Sequence, residues 1–332
     1  MKKMLDNLFE GAILSRAQAR EIMLRIADGA FNDSQLAAFM TVFRMRSITT
    51  GELTGFRDAI LERRLPVDFG GEVPAIDIVG TGGDGKNTFN ISTCSCFVVA
   101  GAGCKVIKHG NYGASSVSGA SNVLEHHGVK FSADNDLLRR SLDVSGVCYL
   151  HAPFFSPALK SVAPVRKQLA VRTFFNMLGP LVNPVRPRFQ LLGVYNLKLL
   201  RLYAYIAQNE GIDCTIVHSL DGYDEISLTS PFRLSDRHGQ RLIDPASIGF
   251  PTYSQEALSG GGSVAEASAI FDNVLSGTAT SAQTDVVVVN SAYAIATLNP
   301  GLSLADAIAM ARESIASGRA MQSFKQFCQI NR

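Results

Sequence analysis

No C-x-x-C pair occurs among the six cysteines (Cys94, Cys96, Cys104, Cys148, Cys214 and Cys328), which removes the usual spacing of redox dithiols and zinc sites. No apolar run reaches the 18 residues that a membrane-spanning helix needs, so no span is expected. No secretory leader is read either, because Met1-Lys2-Lys3 passes at once into mixed polar sequence. These absences together predict a reducing cytoplasm, with the thiols acting as small buried hydrophobes. Cys94 and Cys96 stand at i and i+2, positions that do not face each other on a helix, and are expected to pack in the core. An excess of one charge is also missing: 31 Lys+Arg stand against 29 Asp+Glu, for a net +2. Any basic site must therefore be local, and no long-range field favours nucleic acid. Gly 29 and Pro 12 are ordinary counts that exclude fibrous and disordered classes. No internal repeat or low-complexity tract interrupts the 332 residues, enough for a large core or two domains.

What is present divides into two textures. The first 65 residues read as helical. Ser15 caps a helix carrying Ile22, Met23, Ile26 and Ala27 that Gly29 ends. Ser34 is expected to cap the next, with Leu36, Phe39, Met40 and Phe43 on one stripe. Thr50 begins a third, with Leu53, Phe56 and Ile60 at helical spacing. Pro66 to Pro74, enclosing Gly70-Gly71, is the linker candidate. Short apolar runs then alternate with helices. Strands are expected at 76–79, 105–108, 147–150, 190–194, 215–218 and 285–289, and helices at 92–102, 118–126, 197–210 and 303–317. This alternation predicts a mostly parallel sheet flanked by helices. Pro164 to Leu178 reads as one long helix closed by Gly179-Pro180, and Gly260 to Gly262 as a loop or hinge.

The densest signal is Asp77-Ile78-Val79-Gly80-Thr81-Gly82-Gly83-Asp84-Gly85, continued by Asn90-Ile91-Ser92-Thr93. A buried strand, a glycine loop and a helix start compose a phosphate cradle, since bare N–H groups and the helix dipole favour an anion. Gly80, Gly82 and Gly85 satisfy the dinucleotide spacing. No acid follows about 20 residues on, however, where Lys108-His109-Gly110 stands instead. The run also nearly matches a P-loop, but Asn87 occupies the place of the magnesium-bearing Ser or Thr. Asp84 beside bare phosphate would be repulsive unless a metal or sugar hydroxyl intervenes. A plain strand-to-helix turn remains the alternative.

Two further loops follow expected strands, whose carboxyl ends are where ligands bind in open α/β sheets. In the run Lys108 to Ser116, lysine supplies point charge while Ser115, Ser116 and backbone N–H groups add donors. The bland alternative is a lysine leaving a strand end before a polar loop. Asp221-Gly222-Tyr223-Asp224-Glu225 follows the strand at 215–218, and adjacent carboxylates of this kind can take magnesium with substrate phosphates. A solvated acidic turn would look the same; Ser92, a hydroxyl on the phosphate helix, favours the metal reading. Phosphates and divalent ions together suit departure of pyrophosphate.

These runs, with Ser115-Ser116-x-Ser118-Gly119, Val165-Arg166 and the stretch from Arg172 to Pro184, occur in the order and spacing of the anthranilate phosphoribosyltransferase family, which the chain resembles over nearly its whole length. The resemblance implies a small all-helical N-terminal domain, 1–68, to which 160–182 returns, and a larger α/β domain, 72–332. It implies transfer of phosphoribosyl from phosphoribosyl pyrophosphate to anthranilate in tryptophan biosynthesis. Donor binding would fall to Gly80, Gly83, Asp84, Thr88, Asn90, Ile91, Ser92, Thr93, Lys108, His109, Gly110, Asn111, Tyr112, Gly113, Ala114, Ser115 and Ser116. Gly80, Asn111 and Arg166 would hold anthranilate, the planar guanidinium pairing with its carboxylate. Two magnesium ions are implied, one on Ser92 and Glu225, one on Asp224 and Glu225. A homodimer through the helical domain and contact with anthranilate synthase subunits also follow from the resemblance alone. No side chain is assigned as general acid or base; His109 and His151 are expected to position ligands or satisfy core hydrogen bonds.

The loop departs from the family where Ala120 replaces a serine, Tyr112 a frequent arginine and Val117 a frequent lysine. Less positive charge there bears on donor affinity. A pyrimidine nucleoside phosphorylase would carry Lys-His-Ser-Thr-Gly-Gly, which is absent. A non-catalytic nucleic-acid-binding relative would show a basic stripe, also absent.

Overall fold

After the first, the helix starts of the opening segment are set by side chains that reach back to their own backbone. In the computed structural model, which describes residues 1–113 and 116–332, α1 (Lys2–Phe9) precedes α2 (Arg16–Ala27), α3 (Asp33–Met45) and α4 (Thr50–Glu62). Ser15 with Gln18 and Thr49 with Glu52 form reciprocal capping boxes on α2 and α4. The cap of α3 is Asn32, paired with Gln35, and not Ser34. An amide at Asn32 can complete the box with residue N3, which a cap at Ser34 would shift out of register.

The chain then runs through β1 (Ala75–Gly80), α5 (Ile91–Gly101), β2 (Lys105–Gly110), α6 (Ala120–His126), α7 (Asn135–Ser145) and β3 (Val147–His151). Next come α8 (Ala152–Phe155) and α9 (Ala163–Leu169), followed by 3-10 turns at Phe174–Met177 and Gly179–Leu181. The single helix expected over 164–178 is therefore corrected. Ala170 turns into the left-handed region at φ 50°, and the Thr173 N–H bonds to Asn176 at 3.0 Å to start a new turn. That break aims Phe174 into an aromatic cluster with Phe39, Phe43 and Phe56, at centroid separations of 4.6 to 5.9 Å. Burial of these rings outweighs helix continuity. Residues 1–66 and 152–186 form one compact unit.

The second unit comprises residues 67–151 and 187–332. Its later elements are β4 (Phe189–Gly193), α10 (Leu197–Glu210), β5 (Asp213–Ser219), β6 (Phe232–Asp236), β7 (Gly239–Ile243), α11 (Val264–Ser276), α12 (Ser281–Leu298), α13 (Leu304–Ala316) and α14 (Arg319–Ile330). The seven-stranded sheet runs β3-β2-β1-β4-β5-β6-β7. The first five strands are parallel; β6 and β7 pair antiparallel. The strand expected at 285–289 lies inside α12, a second correction. A continuous apolar run suits a buried strand or a buried helix equally. Thr280 and Gln283 cap it as a helix, and it packs against α5 and α13 and against strands β4, β5 and β1. Among the described residues no helix is long and apolar enough to cross a membrane.

Candidate active site

Parallel order brings the carboxyl ends of β1, β2, β4 and β5 to one edge of the second unit. Gly80 and Gly193 are register partners there, and the Thr81 N–H donates to the Gly193 carbonyl at 3.0 Å. The β5 loop folds back across this pair. A Cβ at Gly193 would overlap the Asp224 carbonyl oxygen, and one at Gly80 the Asp224 carboxylate. Glycine is required at both positions by close approach, not by backbone conformation.

The β5 loop is fixed internally. Ser219 Oγ donates to the Glu225 carbonyl at 2.7 Å and accepts from the Ser227 N–H at 3.1 Å. Asp221 accepts from Thr229 Oγ1 at 2.6 Å and Ser230 Oγ at 2.8 Å, so it serves the loop. Asp224 and Glu225 are thereby turned toward the glycine loop. The Gly82 N–H donates to Asp224 Oδ2 at 2.6 Å, and the Ser92 N–H to Glu225 Oε1 at 3.0 Å. Ser92 lies at the start of α5, whose N-cap Asn90 makes no side-chain cap bond. Glu225 therefore takes one of the donors a helix start leaves open.

Lys108 is buried on β2. Its Nζ donates to the Ile78 carbonyl at 2.5 Å and to Ser92 Oγ at 3.3 Å. Three carboxylates share this edge, and burial raises each above its ordinary range. Asp224 is pushed up to about 7, first by burial and then by the charge of Asp84. Asp84 is raised by burial despite the Lys86 N–H it accepts. Glu225 is raised well up by burial, then by Asp224 and Asp84. Accumulated negative charge held by rigid loops is what a hard divalent cation relieves. Among the described residues no three His, Cys, Asp or Glu side chains form a ready-made metal cage. Oxygen donors few in number still fit magnesium, which takes one or two carboxylates and completes its shell with water and phosphate.

The remaining expected residues fall as follows. Gly83 and Asp84 stay in the glycine loop, and Thr88 forms a bridge to Ser259. Asn90 Nδ2 donates to the Ser118 carbonyl at 3.0 Å, while Ile91 and Thr93 are buried in α5. The His109 N–H donates to Asp77 Oδ1 at 3.3 Å. A Cβ at Gly110 would overlap the Tyr149 ring. Asn111 Oδ1 accepts from the Tyr112 N–H at 2.8 Å, and Tyr112 OH donates to Glu125 at 2.7 Å. Asn122 Oδ1 holds the N–H groups of Gly113 and Gly119, and Ser116 Oγ donates to the Ser118 carbonyl. Ala114 and Ser115 lie outside the described residues. His151 stacks on Phe131 at 4.2 Å and bonds Ser121 at 3.0 Å; burial lowers its pKa. Arg166 belongs to the first unit, where its guanidinium lies 5.4 Å from the Phe175 ring. Gly193, Ser219, Asn87 and Gln255 were not read as site residues from sequence. Gly193 left a signal as a glycine inside an expected strand, and Asn87 as the departure from the P-loop pattern; Ser219 and Gln255 left none.

The chain is similar to known proteins over its whole length. Residues 72–321 match the α/β domain of a glycosyl transferase family and residues 2–64 its helical bundle domain. The anthranilate phosphoribosyltransferase of Bacteroides thetaiotaomicron is 57% identical over 331 residues, covering 100% of this chain and 99% of that protein. The crystal structure of anthranilate phosphoribosyltransferase from Thermus thermophilus is 32% identical with a TM-score of 0.90, covering 98% of each chain. The enzyme from Saccharomyces cerevisiae, in complex with PRPP and Mg, is 28% identical with a TM-score of 0.88, over 96% of this chain and 93% of that one.

Proposed function

The chain belongs to the anthranilate phosphoribosyltransferase family, and we propose that its glycine loop, the start of α5 and Lys108 hold the sugar donor while the β5 loop supplies the metal ligands. The reaction transfers the 5-phosphoribosyl group from phosphoribosyl pyrophosphate (PRPP) to anthranilate, releasing pyrophosphate. The carrying observation is that the acidic pair closes onto the phosphate loop, Asp224 on the Gly82 N–H and Glu225 on the Ser92 N–H.

In this reading Ser92 and Glu225 take one magnesium ion, Asp224 and Glu225 a second. Magnesium bound there would neutralise the charge that grows on departing pyrophosphate. Asp84, beside Asp224 and the Lys86 N–H, would have magnesium and ribose hydroxyls as partners there, so the carboxylate that is awkward beside bare phosphate would be accommodated. The donor contacts extend through Gly80, Gly83, Thr88, the 90–93 run and the 108–116 loop. Anthranilate is assigned to Gly80, Asn111 and, in the first unit, Arg166, on the family pattern. Its amine is a weak nucleophile, but the acceptor needs no strong base once the anomeric carbon carries positive charge. Rate then comes from positioning and from stabilising the leaving group. No histidine is given the role of base. His109 is buried on β2, and His151 is engaged by Phe131 and Ser121.

Loss of anthranilate fluorescence on adding PRPP and magnesium tests the assignment. Arg166→Ala should raise the KM for anthranilate at least about tenfold, as expected for removing a charge-assisted fork. Consumption of another aromatic amine but not anthranilate would overturn the acceptor. On the family pattern a homodimer through the helical unit is expected, measurable as twice the chain mass in sedimentation.

A further inference from the structure

Asn87 stood out in the sequence as the residue that spoils the P-loop match, and no donor or metal role absorbs it. Its side chain does something else. Asn87 Nδ2 donates to the Gly261 carbonyl at 2.8 Å, and Asn87 Oδ1 accepts from the Val117 N–H at 3.2 Å. Its own carbonyl accepts from the Gly260 N–H at 2.7 Å. One residue therefore joins the glycine loop, the loop after β2 and the segment 254–262.

That segment makes further attachments. The Phe89 N–H donates to the Leu258 carbonyl at 3.4 Å, and Thr88 bridges antiparallel to Ser259. A Cβ at Gly260 would lie 2.7 Å from the Thr88 carbonyl oxygen, so only glycine permits this approach. At its start, Gln255 Oε1 accepts from Lys86 Nζ and Gln255 Nε2 donates to Asp221 Oδ2, both at 2.9 Å. Lys86 Nζ also sits 4.6 Å from the Tyr223 ring, next to Asp224. A single amide thus spans the glycine loop and the acidic loop.

We propose that Asn87 and Gln255 are positioning residues, through which residues 254–262 act as a strap that fixes the spacing between the donor loop and the metal-bearing loop. The inference rests on the functional reading above and adds to it. Neither side chain needs to touch substrate: Asn87 acts through Thr88 and the 116–119 loop, Gln255 through Lys86 and Asp221. Both are exposed, so their removal costs little folding stability, yet misplacing a binding loop is costly to catalysis.

The test compares Gln255→Ala, Asn87→Ala and Asn87→Ser with the unmodified enzyme. Gln255→Ala should raise the KM for PRPP and the half-saturating magnesium concentration about fivefold, the worth of one net hydrogen bond. The KM for anthranilate and the thermal midpoint should hardly move. Asn87→Ser restores the P-loop letter but is too short to reach both Gly261 and Val117, so it should behave like Asn87→Ala. Unchanged PRPP and magnesium dependence in Gln255→Ala would overturn the inference. So would parallel losses in every constant and in the midpoint, or an Asn87→Ser enzyme better than the original. If the unmodified enzyme transfers no phosphoribosyl group, the functional reading fails, which is a separate result.

Discussion

Gly193 carries no functional atom, yet the site depends on it. The atoms a methyl group would strike are backbone on a neighbouring loop, so no rotamer change relieves the overlap. Gly193→Ala should lower unfolding free energy by about 3 kcal/mol, at the upper end for overpacking. It should also reduce magnesium-dependent turnover about a hundredfold by displacing Asp224. Chemical denaturation and steady-state kinetics on the same preparation check both. Such residues were hard to read in the sequence because close approach is a tertiary property. Asp224, Glu225, Ser92 and Lys108 were easier: each carries chemistry in its own side chain, beside a strand end or helix start recognisable by pattern. Gln255 was illegible, since nothing in residues 250–260 signals that they return to the glycine loop.

Capping chemistry made the helices legible at the scale of elements, and one cap also carries a pH dependence. Glu52, wholly buried, accepts from Arg46, from the Leu14 N–H and from the Thr49 N–H and hydroxyl. Burial alone would raise its pKa; the hydrogen bonds led by Arg46 outweigh it and hold the carboxyl below the ordinary 4.5. A lowered folded-state pKa means the stabilisation is present above 4.5 and is lost as pH falls through the folded value. Glu52→Gln should cost on the order of 3 kcal/mol at pH 7, the lower end for breaking a buried pair because Arg46 keeps some solvent. Its stability should then fall less steeply below pH 4.5 than that of the unmodified protein, as read by urea unfolding at both pH values. Two elements misled for identifiable reasons. After Asp285 the 285–289 run is unbroken valine because this part of α12 is buried, which hides its period. The 164–178 stretch has helical letters, but the aromatic cluster claims Phe174.

Over the whole molecule, alternation of apolar runs and helices revealed a parallel sheet. It did not reveal β6 and β7, whose short hairpin through Gly239 (φ 99°) extends the sheet antiparallel. Parallel order matters most for function, since it gathers three loops distant in sequence at one sheet edge. On the proposed function, the glycine loop and the acidic pair at 224–225 would operate as one magnesium-dependent device for releasing pyrophosphate. Anthranilate fluorescence followed with saturating PRPP across a magnesium titration, for the unmodified enzyme and for Asp224→Ala/Glu225→Ala, tests it most directly. The unmodified enzyme should consume anthranilate with saturable magnesium dependence, and the double variant should lose at least about a hundredfold in kcat while remaining folded. A double variant with unaltered turnover and an unaltered magnesium curve would rule out that device.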